Sequence, residues 1–177
     1  NWSLKAGRQE IVYDDHRIFG SVGWAQQARS HDAVMIKYEK DGMKLDIAGA
    51  FNQDKAGLAG TSASMGSYKA FQSIWFHKGF GDNLKMSLLF LNNGKQANDP
   101  LHGTYWDNYT QTVGTHTKYK KDKLSVAFNG YYQMGKTNSL EAKDVAAYLV
   151  GLDLGYKLSD NLSATVGFEM QSGQNQT

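Results

Sequence analysis

The chain has 177 residues, a formal net charge of +2, no cysteine and one proline, Pro100. This composition excludes a disulfide framework, a thiolate zinc site and a cysteine nucleophile, and the charge is too small to imply nucleic acid as a partner. No apolar run approaches the roughly 18 residues of a membrane-spanning helix, yet a mean hydropathy of −0.54 leaves room for a membrane barrel, where only every second strand residue faces lipid.

The length suggests a single unit over residues 1–177 with no separate soluble domain, and the chain opens directly in a strand pattern. Residues 3–11 read as the first strand, with Trp2, Leu4 and Ala6 on one face and Ser3 and Lys5 on the other. Strict alternation puts Arg8 and Glu10 on the apolar face; a bulge at Gly7 would turn them to join Lys5 and send Ile11 to the apolar side. A polar-aromatic loop follows. The second strand, 31–40, sets Val34, Ile36 and Tyr38 against Met35, Lys37 and Glu39. Asp41-Gly42 is a hairpin signal. The third strand sets Met43, Leu45, Ile47, Gly49 and Phe51 against Lys44, Asp46, Ala48, Ala50 and Asn52.

A Gly/Ala/Ser-rich connection spans 53–67. The fourth strand, 68–78, has apolar residues on both faces and no evident phase. The fifth puts Leu84, Met86, Leu88 and Phe90 in phase. A long loop is expected over 92–107. The sixth strand, 108–119, sets Tyr109, Val113 and Tyr119 against Thr110, Thr112, His116 and Lys118. After a tight turn at 120–123, the seventh alternates from Leu124 to Met134. A loop covers 135–143. The eighth aligns Tyr148, Val150, Leu152, Leu154 and Tyr156, and the ninth aligns Leu162, Ala164, Val166, Phe168 and Met170.

Nine strands and no helix make an all-β, antiparallel, up-and-down pattern. Connections alternate long and short, as in outer-membrane barrels with tight periplasmic turns and long extracellular loops. Strands of about ten residues suit a tilted bilayer crossing, and several apolar faces end in Tyr, as interfacial girdles do. A soluble sandwich also alternates, but its strands average nearer 5–6 residues. Nine strands leave two edges that lipid does not tolerate, and closed single-chain barrels have even strand numbers. The reading is therefore a transmembrane β-barrel segment, about nine strands of a larger barrel.

The opening stretch also concentrates charge: Arg8, Glu10, Asp14, Asp15, Arg17, Arg29 and Asp32. Guanidinium forks suit carboxylate or phosphate, while solvated ion pairs are the plain alternative. Gly7-Arg8-Gln9-Glu10, then Tyr13, Asp15, Arg17, Gly20 and Trp24, then Ala28-Arg29 before Asp32-Ala33, resembles the signature of the alginate export family, outer-membrane β-barrels of Gram-negative bacteria, with versions in Bacteroidetes. Ala28 stands where that pattern has Gly, and family barrels are longer. The resemblance implies a bacterial outer-membrane location, lipid as a neighbour, and an electropositive lumen passing an anionic solute or polysaccharide. It implies Arg8, Arg17 and Arg29 as lumen arginines, with Glu10, Asp15 and Asp32 as the partners that hold them. Alternation adds Lys5, Lys37 and Lys44.

The alternative for these groups is a lumen network that stiffens the barrel without conducting. A second function class is a structural or accessory subunit of an outer-membrane assembly, contacting other outer-membrane proteins through Ile18, Phe19, Val22 and Trp24 or through Tyr105-Trp106. An enzyme would need a serine, a histidine and a carboxylate held together. Five histidines are present, and Asp14-Asp15-His16 stands out, but no G-x-S-x-G elbow occurs, so no catalysis is expected. Neither His31-Asp32 nor His16 makes a metal cage. No cofactor is expected.

Overall fold

A computed structural model describes residues 1–24, 28–52, 68–99, 101–102, 104–139 and 141–173. Nine strands follow one another: β1 (Trp2–Gln9), β2 (His31–Lys40), β3 (Met43–Phe51), β4 (Ala70–Phe80), β5 (Leu84–Asp99), β6 (Thr104–Lys121), β7 (Leu124–Lys136), β8 (Asp144–Ser159) and β9 (Leu162–Gln171). Every neighbouring pair is antiparallel, and the sheet order equals the chain order. No helix occurs among the described residues. The sheet does not close: β1 and β9 are its two edges. The expected 53–67 connection and Pro100 lie outside the described residues.

Period-two alternation carries through the register. Across one row, Leu4, Ile36, Ile47, Ile74, Phe90, Val113, Tyr132 and Tyr148 stand side by side, one from each strand from β1 to β8. All point to the same face, and no described residue covers them: Ile36 is 45% exposed, Ile74 45% and Tyr148 43%. Among the described residues, the charges on this bare face sit at strand ends. Arg8, Asp32, Asp107, Lys136 and Asp144 lie toward the upper end, where the longer connections are. Lys40, Lys78 and Lys121 lie toward the lower end, where the tight turns are. Between them an uncharged apolar band runs from Leu124 to Met134 on β7, ten residue rises or about 33 Å along the strand.

The opposite face holds the core. Ala33, Met35, Ala48, Ala50, Phe71, Trp75, Leu89 and Tyr131 are buried there, together with Ile11, Tyr13 and Phe19. Those last three come from the segment after β1, which leaves the sheet at Gln9 rather than at Ile11 and folds down over the sheet. A flat sheet would separate β3 from β9 by six strand spacings, about 29 Å. Yet residues 13–17, closed by a turn bond from His16 N–H to the Tyr13 carbonyl, reach Asp46 on β3 and Glu169 on β9. The sheet therefore curls around the segment, and the covered face is concave.

Three expectations are corrected. First, Gly7 makes no bulge: it takes a positive φ of 113°, but its register is unbroken, with Gly7 opposite Ala33 and Arg8 opposite Asp32. Arg8 and Asp32 therefore stay on the bare face with Leu4 and Val34. Second, most of the loop expected over 92–107 is strand, because β5 runs to Asp99 and pairs with β6 from Thr104. Most of its residues are polar, so alternation of apolar residues could not reveal it; the β5–β6 backbone ladder carries through it. Third, β4 has a clear phase. Phe71, Ser73 and Trp75 face the core; Ile74 and Phe76 share the bare face.

Candidate functional site

The segment between β1 and β2 is a strap across the concave face. Apolar contacts seat it. Tyr13 stacks on Trp75 at 4.4 Å and 9°, and Phe19 packs on Tyr13 and Phe71. Burying Ile11 and Phe19 contributes about 2 kcal/mol each. Asp14 and His16 adopt left-handed φ values of 53° and 67°, which Asp and His tolerate better than most residues. Gly20 closes the turn where a Cβ would lie 2.7 Å from the His16 carbonyl oxygen.

Polar side chains then anchor the strap strand by strand. The Tyr13 hydroxyl donates to Asp46 Oδ2 at 3.0 Å, and Lys37 Nζ donates to the same oxygen at 2.6 Å. Trp75 Nε1 and Ser87 Oγ donate to the two oxygens of Asp14 at 3.0 and 2.5 Å. Asn129 Nδ2 donates to Asp15 Oδ2 at 2.7 Å, and Arg17 Nε does so at 3.2 Å. Asn129 Oδ1 can only accept, so His116 Nδ1, 2.7 Å away, carries the proton. Arg17 Nη1 reaches Glu169 on β9 at 2.5 Å. The sheet side chains Ser87, His116, Asn129 and Glu169 occupy one hydrogen-bonded row across β5 to β9, so the strap runs across the strands along that row.

Electrostatics follow from this enclosure. Burial, together with the Asp46 charge it faces, pushes the Tyr13 hydroxyl well above the ordinary tyrosine range, so it stays a donor. The hydrogen bond to Glu169 raises Arg17 further and keeps it charged. Asp15 Oδ1 and His116 Nε2 are enclosed with no hydrogen-bond partner.

Below the strap the concave face is basic. Lys85 on β5 lies directly opposite Lys118 on β6. Both are exposed, and neither forms an ion pair among the described residues. Like charges placed directly opposite one another destabilise a sheet. Lys5, Lys37 and Lys44 occupy the same face of β1 to β3, Lys37 paired with Asp46 and Lys44 with Glu39 at 3.4 Å.

The expected site residues thus separate into groups. Asp15 and Arg17 form the strap anchors. Lys5, Lys37 and Lys44 face the concave side. Arg8 and Asp32 do not: they form a two-pronged pair at 2.9 and 2.8 Å on the bare face, 74% and 50% exposed, because the register carries no bulge. Glu10 is exposed and makes no ion pair among the described residues. Arg29 lies at the upper rim. Sequence reasoning missed Tyr13, Asp14, Asp46, Ser87, Asn129 and Glu169 as anchors. Alternation set most of these on the polar face, but no local signal shows which polar residue meets a loop folded back from another part of the chain.

Ser87, His77 and Asp14 meet, with His77 Nδ1 2.9 Å from Ser87 Oγ. The carboxylate holds the serine rather than the histidine, and Ser87 is 1% exposed, so the order of a nucleophilic triad is not present. No group of three metal-ligating side chains occurs among the described residues. Comparison with known proteins finds no family model, no curated protein and no solved structure that matches the chain.

Proposed function

We propose that the chain is part of the wall of a transmembrane β-barrel in the outer membrane of a Gram-negative bacterium, lining a channel for an anionic solute or polysaccharide of the alginate kind. One observation carries this reading: the bare face of the nine strands is exposed and mostly apolar, and among the described residues its charges are confined to strand ends. On β7, the 33 Å of strand from Leu124 to Met134, tilted at 40–45°, gives a band about 24 Å tall, near the apolar height of outer-membrane barrels. Lipid would cover this face, and further strands would pair the edges of β1 and β9.

The concave face would then be the lumen wall. Lys85 and Lys118, opposed and without ion pairs among the described residues, supply positive potential that concentrates anions and replaces water around carboxylates. The strap favours a second reading, an accessory barrel of a larger outer-membrane assembly, because it occupies the middle of the face a solute would use. Single-channel recording in a planar bilayer under a salt gradient separates the two. A conduit is expected to be anion-selective, with selectivity weakened in Lys85→Gln/Lys118→Gln. A protein that inserts but carries no current, or an unselective current unchanged by that double substitution, overturns the anion-conduit reading.

A further inference from the structure

We propose that the upper rim carries a binding site for an oxyanion, a carboxylate or a phosphate, in a cleft of about 450 Å³ bordered by Arg29, His31, Tyr68 and Lys95. The inference goes beyond the conduit reading and does not require the sheet to enclose a pore. A step in the sheet makes the cleft. The upper ends of β2, β3 and β4 stop at His31, Phe51 and Ala70, whereas β5 continues to Asp99. The taller β5 supplies one wall through Asn93 and Lys95, and residues 29–30 supply another.

The floor is preformed. The His31 and Tyr68 rings lie near-parallel with centroids 5.7 Å apart, joined by a 3.0 Å contact between the Tyr68 hydroxyl and His31 Nδ1. Both rings pack edge-on against Phe71. Backbone bonds clip the step in place, from Asn52 N–H to the Lys69 carbonyl and from Lys69 N–H to the Gly94 carbonyl, at 2.8 and 2.7 Å. Burial and the nearby Asp32 charge raise the Tyr68 hydroxyl, so it remains protonated.

The charge of the lining selects the ligand. Arg8, Arg29 and Lys95 stand against a single carboxylate, Asp32, which is already engaged by Arg8. Arg29 and Lys95 form no ion pair among the described residues, so two cations of the lining have no carboxylate paired with them there. A guanidinium fork and an ammonium bordering one cleft, with an aromatic floor, match an oxyanion borne on a small organic body. The volume lies within the range of small-ligand pockets.

The test is isothermal titration of the purified chain in a phosphate-free nonionic detergent with inorganic phosphate and, separately, benzoate, using benzyl alcohol as the uncharged comparison. Saturable one-site binding of at least one anion, and none of benzyl alcohol, is expected. Arg29→Gln and Lys95→Gln should each weaken binding about ten-fold or more. Asp32→Asn, which removes the one opposing carboxylate, should tighten it, an effect that a folding defect does not produce. Absence of saturable binding to the wild-type chain overturns the proposal, as does affinity unchanged in all three variants. Repeating the titration in nanodiscs assigns the source. Anion binding lost when phosphatidylglycerol replaces phosphatidylcholine identifies a lipid headgroup as the occupant; binding retained identifies a soluble anion. None of these readouts involves current, so the site and the conduit fail or stand separately.

Discussion

Phe128 offers the sharpest test of where the bare face resides. It sits on β7 four residues from Leu124 and six from Met134, the ends of the apolar band on that strand. Those intervals are about 13 and 20 Å along the strand, or roughly 10 and 14 Å of depth at a 40–45° tilt. Phe128 would therefore lie near the bilayer midplane. Phe128→Arg is expected to cost about 2–4 kcal/mol there, a thirty- to nine-hundred-fold change in the folding equilibrium. Tyr109 precedes Thr110, whose partner on β7 is Gly135 beside Lys136, and so lies at the upper border of the band; Tyr109→Arg should cost about 0–1 kcal/mol. The measurement is guanidinium unfolding in thin phosphatidylcholine liposomes, followed by tryptophan fluorescence. In water the same arginines would stay hydrated, because Phe128 is 37% and Tyr109 38% exposed, and both changes would fall within about 0.5 kcal/mol. Equal, small losses at the two positions would refute lipid as the neighbour of this face.

The strap makes further predictions. Tyr13→Phe leaves Asp46 with Lys37 alone and should destabilise strap docking by about 1 kcal/mol, read as increased amide exchange over residues 11–19. Tyr13 holds its proton more tightly when folded than its ordinary value near 10. Its contribution is therefore complete below about pH 10 and is lost as pH rises beyond that, and the Tyr13→Phe variant should lack this part of the alkaline transition. Arg17→Ala should free the strap from β9 at a cost below about 1 kcal/mol, since the ion pair with Glu169 is about one-third exposed, and should abolish the salt dependence of docking. Gly114 provides the space for the Tyr131 ring, which a Cβ would meet directly; Gly114→Val should displace that buried ring, cost about 1–3 kcal/mol and reduce the near-ultraviolet dichroism of the core.

Residues 31–40 and 124–134 show what alternation alone determines. A side-chain period of two, with glycine or Asp-Gly at the reversals, dictates strand, turn and the face each residue takes, because pleating admits no other placement. Lys37, Lys44, Ser87, His116 and Asn129 could thus be set on the polar face in advance, and the apolar band on the other. Tertiary structure decided what local pattern does not encode. The phase of β4 follows from its pairing to β3 and β5, since Phe71, Ile74, Trp75 and Phe76 are all apolar and only a neighbour's register distinguishes core from bare face. Arg8 faces away from the concave side because pairing with β2 holds Gly7 in register, although its φ would have suited a bulge. The strap is the largest such decision. Asp14, Asp15 and Arg17 find Ser87, Asn129 and Glu169 from 73 to 152 residues away, as positions 14 to 87, 15 to 129 and 17 to 169. Partners at that separation are chosen by the curl of the whole sheet, which no stretch of sequence specifies by itself.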